Sequence, residues 1–449
     1  MGKEIQCDCC VVGGGSAGFA AALAAAENGL NTILVEKLSQ LGGTASLAGV
    51  NCFEPVIGGG KIAERLSRIL LSDPAQCGIY RVNRHFSIPA MNQPPFPGCE
   101  AVIDPAAVYE DTLCSYIGSA PDILWNKRRG IIFEPDFLSR TMLELLTNAG
   151  CRVLLSSEVS SIKCSGRYIT EVVLTDDTVI RADSWIDCCS ILARLGDCKV
   201  YFGRDTYDDF QEPDAPRQKD ASLNGATRIF RITPADEEIP ASPVPAENCT
   251  WRESYPPMMA VQYPCGDYNC NMLPGMSGQE YFSYGDAAAK KISEERIREY
   301  WLYLQGTYPE FRKWRIKSIF PEIGIRESYR VECRYMLTEK DILKGMEHPV
   351  PDAVAVCDHG MDLHGVSGPG RKTGAYRIPF GCLCPVKYDN LLIAGRCAGF
   401  SSLAASSCRL SRTMMQLGET AGKAAAIAFR KHCDFTGIDG TESGLSSIE

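Results

Sequence analysis

The stretch CCVVGGGSAGFAAALAAAENGLNTILVEK, residues 9–37, holds most of the information about how this 449-residue chain folds. Residues Gln6–Val12 have the small and branched apolar character of a strand buried on both faces. Gly13, Gly15 and Gly18 follow in a G-x-G-x-x-G pattern. One glycine permits a tight turn, one lets a pyrophosphate approach the backbone, and one lets the next helix pack closely on the strand. Ser16 and Ala17 open that helix, so its free N–H groups and dipole face the phosphates. Alanine dominates through Glu27, and Asn28-Gly29 supplies a left-handed stop. A short β-branched strand, Thr32–Val35, ends at Glu36, whose carboxylate can accept hydrogen bonds from a ribose diol. Strand, turn, helix, second strand and terminal acid come in the order a dinucleotide-binding βαβ unit requires.

Which dinucleotide is bound turns on residues 37–51, KLSQLGGTASLAGVN. A nicotinamide site would run from the acid into another crossover helix. Here Gly42, Gly43 and Thr44 instead let the backbone approach a bulky planar group, and the residues through Gly49 stay small. That favours a flavin. At the other end, residues 390–432 give a strand, a glycine turn, a polar loop and a long alanine-rich helix beginning near Arg412. Such a helix sets its N-terminus against the pyrimidine edge of a flavin, where the dipole stabilises the anionic reduced ring.

With these pieces in hand the chain resembles the FAD-dependent oxidoreductases that group with glutathione-reductase-type flavoproteins. It is distantly similar to the flavoprotein subunits of fumarate reductase and succinate dehydrogenase. The resemblance rests on residues 11–37 and 41–51, on IGIRESYRVECRYMLTEKDILKG and DLHG, on YRIPFGCLCPVKYDNLLIAGRC, and on RTMMQLGETAGKAAAIA. It implies an α/β fold: a split Rossmann-type FAD-binding domain with an inserted α+β substrate or cap domain. It also implies that Val159 faces the adenine through its backbone and that Gly395 and Arg396 lie near the ribityl chain and pyrophosphate. Lys37 and Met414 count among the cofactor residues on the same ground. Two departures stand out. The A-T-G-D-like turn usual in such proteins is replaced by IDCCSILARLGDCKV, which keeps Asp187 but lacks the glycine and second acid. No histidine near Thr44 could link flavin covalently, so FAD is expected to be held non-covalently.

The expected domain limits are 1–55, 130–200 and 320–433 for FAD binding and 56–129 with 201–319 for the insert, where proline and aromatics replace the βα rhythm. Residues 434–449 are expected to fray. Within the insert, residues 287–311 form an amphipathic helix and a short extension whose aromatics belong to a core. A formal charge of -9 without a basic stripe argues against nucleic acid, and no apolar run reaches the ~18 residues of a membrane span. The 22 cysteines fit a reducing, cytoplasmic setting in which Cys serves as a small apolar residue. Cys7 with Cys10, Cys188 with Cys189, and Cys382 with Cys384 all fall in apolar runs and are expected to be buried, with no metal role. A separate nicotinamide domain is not expected, because no second glycine pattern precedes a helix. Electrons therefore come from a small-molecule substrate or a partner, and a homodimer is possible.

Chemistry points to two clusters. In CDHGMDLHG, His359, Asp362 and His364 stand close, and Asp362 and His364 share a face of an extended segment. His364 can take a proton while hydride passes to flavin, with Asp362 orienting it, and Asp-x-His is common here among the proteins it resembles. A divalent-metal site or a satisfied polar loop are the alternatives. In IGIRESYRVEC, Arg326 and Arg330 can clamp a carboxylate or hydroxyl-rich substrate, or else pair with Glu327 in the interior. Residues 365–374, GVSGPGRKTG, are expected to form a loop lining the site. The function so read is hydride transfer between a polar small molecule and FAD. Its alternatives are elimination or isomerisation on FAD, an electron-relay subunit, or a nicotinamide dehydrogenase.

Overall fold

A computed structural model describes residues 3–85, 98–113, 129–220, 222–242, 255–364 and 373–446. The first strand, β1 (Glu4–Val12), runs parallel to the second, β2 (Thr32–Val35), with the helix α1 (Ser16–Glu27) crossing between them. Strand Arg152–Leu154 extends this sheet beyond β2, also in parallel. On the other side of β1 lies strand Val179–Asp187, in register from Glu4 opposite Val179 to Val12 opposite Asp187. The outer edge of that strand is shared. Its beginning pairs with the antiparallel hairpin Val159–Ser165 and Tyr168–Leu174, and its end pairs in parallel with Leu391–Ile393. The two ends of the polypeptide thus enter one α/β sheet.

Helix α1 is buried all round, because it is covered on its outer side by the C-terminal helix Ser411–Lys431. Alanine suits α1 as a strong helix former and as a side chain short enough for this double contact. The C-terminal helix answers with glycine. A Cβ on Gly418 would sit 2.0 Å from the Ala17 carbonyl oxygen, and one on Gly422 would sit 2.3 Å from that of Ala21. The backbones touch at both places, four residues apart on one helix face.

The second sheet has eight strands, in the order 314–319, 230–234, 268–272, 258–262, 98–103, 77–85, 129–133, 52–53. Helix Asp286–Thr307 covers part of it, burying Ile297, Tyr300, Trp301 and Leu304 against Phe230, Met258 and Cys270. Its aromatics are core residues, as their spacing predicts. Strands Cys52–Phe53 and Arg129–Phe133 lie on the FAD side of the limits at 55 and 130 expected from sequence, yet they pair with each other in this second sheet. Short apolar runs can be buried in either sheet, and pairing register alone assigns them. The expected frayed tail is also corrected. Phe435 and Leu445 are 1% and 0% exposed, and the Phe435 N–H donates to the Asp389 carbonyl, so apolar anchors hold residues 434–446 on the core.

Because Gly418 meets backbone, Gly418→Val is expected to lower the unfolding free energy by ~2–3 kcal/mol in urea titrations. Gly306, in the helix 286–307, has open space around its Cα. There, Gly306→Ala is expected to be neutral or stabilising by up to ~1 kcal/mol.

Candidate active site

The turn after β1 is built for a close backbone approach. Gly13 has φ +99°, a conformation that disfavours a side chain. A Cβ on Gly18 would fall 1.6 Å from the Gly13 carbonyl oxygen, so the turn closes only with glycine there. At Gly15 a Cβ would meet nothing within 4 Å, which leaves the N-terminus of α1 open, and no side chain caps it. Ser16 and Ala17 begin that open turn. The Gly42-Gly43 loop lies directly over it: the Gly42 N–H donates to the Gly14 carbonyl (2.9 Å), and a Cβ on Gly43 would meet the Gly15 Cα at 3.3 Å.

Glu36 is buried at the end of β2 and accepts from the Gly14 N–H (2.5 Å) and the Leu38 N–H (2.8 Å). It braces the glycine turn while keeping acceptor capacity in its two oxygens. The Ser157 N–H donates to the Glu36 carbonyl, which brings Val159 to this end of the site, and Lys37 is exposed beside it. Gly395, φ +91°, approaches from the far end of the chain, where an added Cβ would lie 3.1 Å from the Ala17 Cβ. Asp187 between them is fully buried and accepts from the Cys189 and Ala193 N–H groups. Burial pushes its carboxyl up, against those two bonds. The loop lacking the usual glycine and second acid therefore still braces the site.

Cys7, Cys10, Cys382 and Cys384 are buried, but the expected burial of the 188–189 pair is corrected: Cys188 is half-buried and Cys189 exposed, both facing Gly13. Strand Val179–Asp187 ends at Asp187, so its apolar run does not carry the pair inward.

A cavity of about 190 Å³ opens where the two sheets meet. Thr44, Val50, Arg396 and the C-terminal helix's Ser411 border one side. Asn269, Asn271 and Met259 of the second sheet border the other, and His359, Asp362, His364, Arg326 and Arg409 complete the wall. His364 Nε2 lies 2.6 Å from Asp362 Oδ2, and that same oxygen accepts from Arg409 Nη2 at 2.8 Å. Burial alone would raise the Asp362 carboxyl. The His364 hydrogen bond and the Arg409 charge outweigh it and hold the group well below the usual carboxylate range. For His364, burial favours the neutral ring, the Asp362 bond opposes this, and the Arg326 charge adds to the depression, leaving the net shift downward.

The two arginines of the second cluster part company. Arg326 Nη1 donates to the Gly225 carbonyl (2.7 Å) and Thr227 Oγ1 (3.0 Å), both neutral, and its group is pushed down first by burial and then by Arg409. Arg330 is 1% exposed, lies away from the cavity, and binds Asp205 Oδ2 at 2.5 Å and the Gly203 carbonyl at 2.6 Å. Its expected substrate contact is corrected: it is an interior ion pair, with Asp205 as partner and Glu327 at 3.8 Å. Met414 lies buried in the first turn of the C-terminal helix, outside the cavity wall. Residues 365–372 of the expected site loop lie outside the described residues. Among the described residues no three His, Cys, Asp or Glu groups are gathered as a metal site would need.

Sequence reasoning missed Arg409, Asn269 and Asn271. The alternation in YNCNM, residues 268–272, was the available signal, since it puts both asparagines on one face of a strand. Arg412, on the first turn of the C-terminal helix, is also buried and donates to Thr112 and the Glu54 carbonyl, fastening that helix end to the insert.

An open, uncapped helix N-terminus, a turn that closes only because Gly18 has no Cβ, clear space at Gly15, a buried acid at the second strand and a second helix end at the cavity fit FAD. A family model described as FAD dependent oxidoreductase matches residues 8–443. The chain belongs to that family, and is an FAD-dependent enzyme with the α/β fold of a dinucleotide-binding flavoprotein. Among solved structures it is similar to a geranylgeranyl bacteriochlorophyll reductase-like protein from Thermoplasma acidophilum, at 11% identity over 96% of this chain and 80% of that one, with a TM-score of 0.48. The flavin-dependent brominase Bmp2 shows 11% identity over 96% and 81%, with a TM-score of 0.47. The p-nitrophenol 4-monooxygenase PnpA from Pseudomonas putida shows 11% over 96% and 81%, with a TM-score of 0.45. No curated protein matches the chain. Among the described residues no helix is long and apolar enough to cross a membrane.

The contrast between the two arginines is measurable. Arg330→Met strands Asp205 in the interior and is expected to cost ~3–5 kcal/mol in urea unfolding. Arg326→Met removes a charge that has no carboxylate within ion-pair distance among the described residues, and is expected to change stability by less than ~1 kcal/mol.

Proposed function

We propose that the enzyme passes hydride between a polar, anionic small molecule and non-covalent FAD, with His364 exchanging the accompanying proton. The observation that carries this reading is the His364–Asp362–Arg409 relay, set in one cavity with Arg326 and the start of the C-terminal helix. Bound FAD supplies a two-electron acceptor or donor of hydride. Its diphosphate suits the amides of Ser16 and Ala17 between Gly13, Gly15 and Gly18, and its ribose suits Glu36. Gly42, Gly43, Thr44, Gly395 and Arg396 remain the candidates for the flavin end, with Val159 at the adenine.

In neutral His364 the Nε2–H donates to Asp362, which leaves the Nδ1 lone pair to receive a substrate hydroxyl proton. Asp362 fixes that tautomer and is itself held by Arg409, so the base is oriented before substrate arrives. Arg326 brings a guanidinium without an acidic partner to the wall, and a substrate carboxylate would pair with it. His359 lines the same wall and helps shape it. With only one dinucleotide site in the sequence, the electrons come from the substrate or from a partner protein.

The test is anaerobic mixing of the FAD-loaded enzyme with hydroxy acids and sugars, following bleaching of the flavin band, and of the dithionite-reduced enzyme with enoates, following its return. Failure of every hydroxy acid to bleach it would remove the reading. With a bleaching substrate, the rate requires neutral His364, whose folded value is below the ordinary 6.5. The rate is therefore expected to be flat above about pH 6.5 and to fall on the acid side, up to tenfold per pH unit. Asp362→Asn removes the charge that holds the proton on His364 and is expected to move that limb to still lower pH. His364→Ala abolishes the limb and lowers the rate by roughly 100-fold or more.

A further inference from the structure

The second sheet's floor presents two asparagines to the cavity, and they are in different states. Asn269 is fully engaged through its Nδ2, which donates to the Gly49 carbonyl (2.8 Å) and to the Tyr263 hydroxyl (2.9 Å). The Tyr263 hydroxyl in turn donates to Asn51 Oδ1 at 2.5 Å, so this network is tied to the loop that follows Gly42-Gly43. Asn271, two residues along the same strand face, borders the cavity too, but its Oδ1 is buried with no hydrogen-bond partner among the described residues. A buried carbonyl oxygen left bare costs free energy, and a site that keeps one beside a ligand cavity is arranged for a donor on the ligand. Nearby, Asp362 is committed to His364 and Arg409, and Thr227 to Arg326 and the Met272 carbonyl.

We propose that Asn271 is a specificity-determining residue whose Oδ1 accepts a hydrogen bond from an O–H or N–H of the substrate, so that the enzyme selects anionic substrates carrying such a donor over their deoxy analogues. This rests on the anionic-substrate reading above. A site built around a buried acceptor discriminates against a ligand lacking the donor, because the unsatisfied carbonyl then stays buried in the complex. A merely apolar wall would not make that distinction.

Propionate, lactate and glycerate are matched in their carboxylate and differ by one hydroxyl at each step. Titrated anaerobically into the FAD-loaded enzyme and read by the shift of the flavin band, at least one hydroxyl step is expected to tighten binding on the order of tenfold. In Asn271→Leu that step is expected to shrink to less than about threefold. Asn271→Asp, which keeps an acceptor and adds like charge, should weaken all three acids while retaining the step. Flavin content and the visible spectrum report whether each variant is folded. Equal binding of the three acids by the native enzyme, or an unchanged step in Asn271→Leu, overturns the role of Asn271 and leaves the anion site standing. Loss of FAD from Asn271→Leu with the step intact would assign the side chain to the flavin instead. If no acid binds, or Arg326→Met binds them as tightly as the native enzyme, the anionic-substrate reading itself falls.

Discussion

Everything in the site follows from the contact between α1 and the C-terminal helix. Gly418 and Gly422 bring the second backbone against Ala17 and Ala21, and Gly18 lets α1 begin immediately beside the Gly13 carbonyl. Larger residues at Gly418 or Gly422 would push the C-terminal helix outward, and one at Gly18 would break open the turn itself. The start of that helix, with Ser411 on the cavity wall, would then leave the cavity it now borders. Two segments separated by almost the whole chain are thereby held in one geometry, and both helix N-termini belong to one site.

On that frame the cavity is electrically lopsided. Arg326, Arg396 and Arg409 all border it, and Arg326 and Arg396 are both pushed down, first by burial and then by the Arg409 charge. Asp362 answers Arg409 directly, while Arg326 and Arg396 rest on neutral oxygens of Gly225, Thr227 and Ile325. A half-enclosed cavity with surplus positive charge favours anions, a carboxylate among them. It also favours a neutral histidine, which is the form a base must have before the proton moves.

Much of this was legible in the sequence, and the reason is that backbone demands leave strict marks. Gly13, Gly18 and the Gly42-Gly43 pair answer to positive φ or to backbone contact, Gly15 leaves the helix end clear, and Glu36 supplies the buried acceptor. Asp362 and His364 were legible because alternation puts them on one face whatever surrounds them. Side-chain partners were not. Arg326 and Arg330 are four residues apart with the same chemistry, and only the fold brings Asp205 to one and an open cavity to the other. Arg409 sits in an undistinguished polar stretch and gains meaning only from Asp362, 47 residues earlier. The buried tail was hidden for a similar reason: Phe435 and Leu445 are isolated apolar residues without periodicity, and a waiting groove is a property of the rest of the molecule.

The strand Cys52–Phe53 begins the substrate-side sheet only a few residues after Gly49, and Asn51 is bonded to Tyr263 and Asn269 of that same sheet. No hinge separates the proposed grip on the cofactor from the surface proposed to read the substrate. Descent with modification in this lineage is therefore constrained: a new preference cannot be acquired by exchanging the inserted sheet as a cassette, because the exchange would cut through the Gly42–Asn51 loop. Diversification has to proceed by side-chain replacement on a retained scaffold, at positions such as the asparagine pair of the 268–272 strand.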